Sequence, residues 1–115
     1  MANIYKNSKL DLTTNNATTL YVVPGNSRAI LKSILVSSDS GSATTVTVDL
    51  FNGDPAASAA KFTLFKTKAV AANASDQLLT EPLIMLENEV IQITAADANR
   101  LFVVASILEI NREDS

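Results

Sequence analysis

Catalysis needs groups that exchange protons, attack carbon or hold a metal, and this chain of 115 residues has few of them. It contains no His and no Cys. The commonest general base, the commonest metal ligand and the thiolate nucleophile are therefore all missing. Ser and Asp are plentiful, but no Ser-His-Asp triad can be completed without an imidazole. Carboxylates remain. Glu87 and Glu89 stand two apart, so on a strand they would share a face, yet with Asn88 they form a polar turn between apolar segments. Glycosidase chemistry holds two carboxyls roughly 5–9 Å apart across a cleft, and charges in a turn are more simply read as solvated. Asp39, Asp49 and Asp54 offer the oxygen ligands that calcium takes. They lack the Asp-x-Asp-x-Asp spacing with its Gly, and Asp54 before Pro55 reads as a turn former. Pro24-Gly25-Asn26-Ser27 has one Gly and no following Lys, so it is not a phosphate loop. The expectation is a protein with no catalytic residue, no cofactor and no metal, hence not an enzyme.

The charges exclude two further classes. Nine basic and twelve acidic residues leave a net charge of −3, and the Lys and Arg are scattered. No basic run exists that could neutralise several phosphates together, so nucleic acid is not an expected partner. No apolar stretch approaches the roughly 20 residues that span a bilayer, so no membrane is expected either. The opening residues lack the apolar core of a secretory signal. Asn16-Ala17-Thr18 and Asn73-Ala74-Ser75 match the glycosylation triplet and, without such a signal, read as chance.

The elements that would carry any site are strands. At 47% hydrophobic and 18% charged, the composition is that of a globular chain. Its length suits one domain over residues 1–115. Two-residue alternation marks about eight short strands separated by turn chemistry. They run from Ile4 to Leu12, Thr18 to Val23, Arg28 to Ser37, Thr44 to Phe51, Lys61 to Val70, around Leu78-Leu79 and Leu83 to Leu86, Val90 to Ile93, and Leu101 to Ile110. Pro24-Gly25 suits a type II turn, and Asn52-Gly53-Asp54-Pro55 is a strong turn signal. Ala56 to Ala60 suits a short helical turn. Asn73 to Asp76 reads as a polar break, and Pro82 marks an edge or a bend. Helical periodicity is sustained nowhere. The fold class is all-β: an antiparallel β-sandwich, with a jelly roll as one wiring of it.

Strict alternation also exposes a conflict. From Arg28 to Ser37, Ile30, Lys32, Ile34 and Val36 fall on one face, with Ala29, Leu31, Ser33 and Leu35 on the other. From Leu101, the residues Leu101, Val103, Ala105 and Ile107 oppose Phe102, Val104 and Leu108. Phe65 is out of phase with Phe62 and Leu64. A sheet packed on one side only needs one apolar face. The surplus must lie under loops or against another subunit, which makes Phe65, Ile30, Ile34, Val36 and Phe102 candidate interface residues.

Several segments resemble small tailed-bacteriophage virion proteins. They are Asp11-Leu12-Thr13, Ala17 to Ser27 with Thr18-Thr19-Leu20-Tyr21 and Pro24-Gly25, Ala29 to Val36, Leu79 to Leu83, Leu86 to Ala95, and Val103 to Ile110. Together they cover nearly the whole chain, and the matching motifs are structural ones. Glu87-Asn88-Glu89 departs from that pattern, where a Gly-Asp turn is frequent. The resemblance implies a structural part of a phage virion: a capsid decoration (cement) subunit, or a neck or tail component. It also implies other virion proteins as partners and a homo-oligomer, a trimer in the case of a decoration protein. The competing expectation is a receptor- or glycan-binding β-module on a phage tail, with aromatic side chains as the stacking platform. If no metal is needed, chelation with EDTA should leave the melting temperature unchanged, and a fall of several degrees would contradict that expectation.

Overall fold

A computed structural model of the chain describes residues 2–38, 41–79 and 81–111. Nine strands form two antiparallel sheets. The strands are β1 (Ala2–Leu12), β2 (Thr18–Val22), β3 (Ser27–Ser38), β4 (Thr44–Phe51), β5 (Lys61–Val70), β6 (Ser75–Gln77), β7 (Leu83–Met85), β8 (Val90–Ala95) and β9 (Leu101–Asn111). One sheet has the order β1-β9-β3-β6, with β7 also on β3; the other has the order β2-β8-β4-β5.

The pairing is nested. β4 pairs with β5, β3 with β6 and β7, β2 with β8, and β1 with β9. A long hairpin folded over on itself gives this pattern. The further pairs β3 with β9 and β4 with β8 complete the two sheets. This is the wiring of a jelly roll. β6 and β7 are two halves of one edge strand, holding Leu35–Ser37 and Ala29–Leu31 of β3. Pro82 falls in the gap between them, where no ladder hydrogen bond is asked of it.

The core between the sheets is almost wholly aliphatic. Leu12, Leu31, Ile34, Met85, Ile91, Ile93, Leu101 and Ile107 are its largest fully buried side chains, and Tyr21 is its one buried aromatic. β9 alternates without interruption: Leu101, Val103, Ala105 and Ile107 face in, while Phe102, Val104 and Leu108 face out.

Three other strands break the two-residue rhythm. From Leu31 to Ser33, β3 advances two residues while β9 advances one, leaving Lys32 as an extra residue. Such a bulge switches which side the following side chains face. Ala29 and Leu31 before it, and Ile34 and Val36 after it, therefore all point into the core. The supposed surplus face of β3 is mostly this phase change. In β2, Leu20 is the extra residue between Thr19 and Tyr21. Leu20, Tyr21 and Val23 are buried, and Val22 is exposed. β5 has one residue too many on each side of Phe65, relative to β4. Thr67 nearby sits in the left-handed region, at φ 47°. Phe65 comes opposite Val48 and packs on the core, while Phe62 points to solvent.

Two turns also differ from expectation. Gly25 does not adopt positive φ, so the Pro24-Gly25 turn is not type II. Ser27 N–H donates to the Pro24 carbonyl instead, and a Cβ on Gly25 would lie 3.3 Å from Asn88 Oδ1. Gly serves there for close approach. The expected break at Asn73 to Asp76 is partly strand, since Ser75 and Asp76 belong to β6. The helical turn is present as one 3-10 turn, Pro55–Ala57, capped by Asp54 Oδ1 accepting from Ala56 N–H at 2.9 Å.

The bulge has a measurable signature. Ile34→Ala should cost about 2–5 kcal/mol in urea unfolding, as for a filled core site, and Ile30→Ala under about 1.5 kcal/mol. Equal costs would mean that β3 runs in one phase.

Candidate functional site

The register of β1, β9, β3 and β7 places side chains in rows across the outer side of their sheet. Tyr5, Leu108, Ile30 and Ile84 form one row, one residue from each strand. It is apolar from edge to edge, with Tyr5 75% exposed and Ile84 66% exposed. A second row has Lys9, Val104, Leu35 and Gln77. Between them lies a polar row of Asn7, Ser106 and Ser33, with the bulged Lys32 beside it. Asn3, Ile110 and Arg28 bound the face at one end, and Asp11, Phe102 and Ser37 at the other. Three strands about 4.8 Å apart and about 11 residues long, edged by the three-residue β6 and β7, make a face of about 600 Å², polar and apolar rows together.

The outer side of the other sheet is different. Thr19, Gln92, Asp49 and Thr63 form a row across all four strands. Gln92 Nε2 donates to Thr19 Oγ1 at 3.1 Å, and Thr63 Oγ1 donates to Asp49 Oδ1 at 2.7 Å. Thr47 and Thr94 make the adjoining pair. A ladder of hydroxyls and amides that satisfy one another is suited to water. The two outer faces thus have opposite character, one apolar and one polar.

Of the residues singled out from the sequence, Ile30 and Phe102 lie on the apolar face. Ile34 and Val36 do not: both are 0% exposed in the core, so neither is open to a partner. Phe65 is half-buried on the core from the other sheet. The residues that alternation missed as interface candidates are Tyr5, Ile84, Leu35, Val104 and Leu108. The last three were visible as the surplus set. Tyr5 and Ile84 sit on short apolar stretches whose facing only pairing reveals.

One buried polar cluster joins the sheets. Glu109 on β9 is 5% exposed. The Tyr21 hydroxyl donates to its Oε2, and Lys6 Nζ reaches the same oxygen at 3.1 Å. Lys6 Nζ also lies 5.8 Å from the centre of the Tyr21 ring, within cation–π range. A carboxylate this deep needs such partners. Nearby, the Ser8 hydroxyl donates to the Leu20 carbonyl at 2.5 Å, again across the sheets. Among the described residues no buried side-chain polar atom is left without a hydrogen bond. Lys6 also lines the groove beside Tyr5 and Lys32, while Glu109 and Tyr21 are buried, and the cluster reads as a staple.

The sequence candidates for chemistry are dispersed into structural roles. Glu89 Oε1 accepts from Leu86 N–H at 2.8 Å, and Glu87 pairs with Arg28 at 3.6 Å. Asp49 is tied to Thr63, Asp54 caps its turn, and Asp39 lies outside the described residues. No group of three carboxylates that could hold a metal occurs among the described residues. A cleft of about 460 Å³ lies outside β2 and β8, lined by Thr19, Val22, Asp54, Pro55, Asn88 and Val90. It has no aromatic side chain for a sugar ring to stack on.

These features define a jelly-roll fold with an open apolar sheet face. No protein-family model and no curated protein sequence matches the chain. Solved structures do. A chain of the T13 infectious bursal disease virus particle superposes with a TM-score of 0.57 at 7% identity, over 93% of this chain and 30% of that one. The Gt strain of the same virus gives 0.54 at 7% identity, over 100% and 31%. The VP2 subviral particle of that virus gives 0.52 at 9% identity, over 98% and 32%. The chain spans under a third of the length of each. At such identities the likeness is one of fold: an all-β sandwich found in chains of viral particles.

The staple predicts a pH dependence. Tyr21's hydroxyl is held above the usual tyrosine range, first by burial, then by its hydrogen bond to Glu109 and that carboxylate's negative charge. An unfolded tyrosine ionises near 10.0 and the folded one stays protonated there. The stability it contributes is therefore full below pH 10 and falls as pH rises beyond it. Tyr21→Phe should cost about 1–3 kcal/mol at neutral pH by leaving Glu109 short of a donor. It should also flatten the loss of stability above pH 10 in urea titrations, whereas an unchanged slope would assign that loss elsewhere.

Proposed function

We propose that this chain is a non-enzymatic structural protein of a phage virion, a capsid decoration (cement) subunit or a neck or tail component, and that it works by docking the outer face of β1-β9-β3-β7 on a neighbouring subunit. The observation that carries the reading is the apolar row Tyr5, Leu108, Ile30 and Ile84, flanked by Val104 and Leu35. Apolar surface left in water is unfavourable by roughly 25 cal/mol per Å² relative to burial. Exposed apolar side chains clustered in a row and rimmed by polar residues are the mark of an interaction site. One partner in a standard protein–protein interface contributes about 800 Å², the same order as the area of this face.

Two other observations support it. The segments resembling small tailed-bacteriophage virion proteins include β3 and β9, which build the centre of the face. The fold is shared with chains of viral particles. A domain held by long antiparallel ladders is also a rigid unit, as repetition over a symmetric particle requires.

The reading is tested with phage particles assembled without the protein. Added chain should cosediment with heads, necks or tails. Val104→Asp and Ile84→Lys, which alter only outward positions, should cut the bound fraction at least tenfold with little change in melting temperature. Wild-type chain that stays in the supernatant with every particle fraction would overturn the proposal.

A further inference from the structure

The charges on the open face indicate what covers it. Lys9, Arg28 and Lys32 stand there with Asp11, and Glu87 reaches Arg28 at the margin, which leaves Lys9 and Lys32 as the cations among the apolar rows. Lys32 lies near the middle, beside the polar row that separates the two apolar ones. In a two-fold contact each face meets its own copy, and groups near the axis meet themselves. Lys32 would then oppose Lys32, which disfavours face-to-face pairing. Away from this face and its margin the described residues carry five cations and seven carboxylates, an acidic balance.

The cleft outside β2 and β8 is lined by the apolar Val22, Val90 and Pro55, by Asp54, and by Thr19 and Asn88. On the open face, Tyr5 projects beside a groove that Lys32 also lines. A largely exposed phenol ring next to a cation suits an apolar recess next to a carboxylate.

We propose that the open face is covered by the back of a second copy of this chain, in a head-to-tail contact that seats Tyr5 and Lys32 of one copy on the Val22, Val90, Pro55 and Asp54 cleft of the next. The inference rests on the reading of that face as the docking surface and names its occupant. A contact between unlike surfaces leaves one face and one cleft free at the ends. It therefore repeats until a ring closes, or extends as a filament.

Analytical ultracentrifugation of the full chain, from micromolar to tenths of millimolar, tests it. The wild type should associate with rising concentration. Lys32→Glu should raise the dissociation constant about tenfold or more, and combining it with Asp54→Lys should restore association. Asp54 caps the 3-10 turn, so Tyr5→Ser provides an independent arm: it changes an exposed side chain and should weaken association to a similar extent. Circular dichroism checks that each variant is folded. A wild type that is monomeric throughout, a Lys32→Glu chain that associates as well as the wild type, or one that binds the wild type more tightly, as a two-fold contact requires, would each overturn the proposal. A monomer that still joins phage particles through Val104 and Ile84 would refute this contact and leave the structural role intact.

Discussion

β9 is hydrogen-bonded along its whole length on both sides, to β1 and to β3, and the rest of the sandwich depends on that register. Because β9 has no bulge, Leu101, Val103, Ala105 and Ile107 form an unbroken inward line on which the other sheet packs. A slip of one residue would put Phe102, Val104 and Leu108 inside and the core set outside. Glu109 continues the same inward line, so the slip would also move this buried carboxylate away from Lys6 and Tyr21. The aliphatic core gives the sheets their attraction. The staple at Glu109 suits a single register, since a buried carboxylate without its partners is costly.

The bulges in β2, β3 and β5 fit the other strands to that fixed line. An extra residue lets a strand change phase without losing its ladder on either side. In β3 it turns two apolar pairs, Ala29 with Leu31 and Ile34 with Val36, onto the same core. It also leaves Lys32 standing outward near the centre of the apolar face. The feature that completes the core therefore also sets the charge on the outer apolar face. Packing and interaction are coupled here through one backbone irregularity.

The two outer faces of the sandwich differ in what they offer to their surroundings. Threonines, Gln92 and Asp49 make one of them a surface that water can serve. The other is apolar in rows, with cations placed between and around them. Such a surface gains by being covered, and its charges restrict what can cover it. That division needs no catalytic group. Among the described residues, Asp54 and Glu89 accept from backbone N–H groups in turns, Glu87, Glu109, Asp76 and Asp97 pair with Arg28, Lys6, Lys68 and Arg100, and Asp49 bonds to Thr63.

The sequence by itself determined the class of the fold and most of its strands, because alternation and turn residues act locally. It also determined the absence of imidazole and thiolate chemistry, and the inward and outward sets of the bulge-free β9. Only the tertiary structure decided which apolar residues of β2, β3 and β5 are dry. A bulge is a mismatch between two strands distant in sequence, and neither strand records it alone. For that reason Ile34, Val36 and Phe65 pack on the core while Ile30 and Phe102 stay outside. The row from Tyr5 to Ile84 likewise exists only once four segments, separated by up to about a hundred positions in the sequence, have paired.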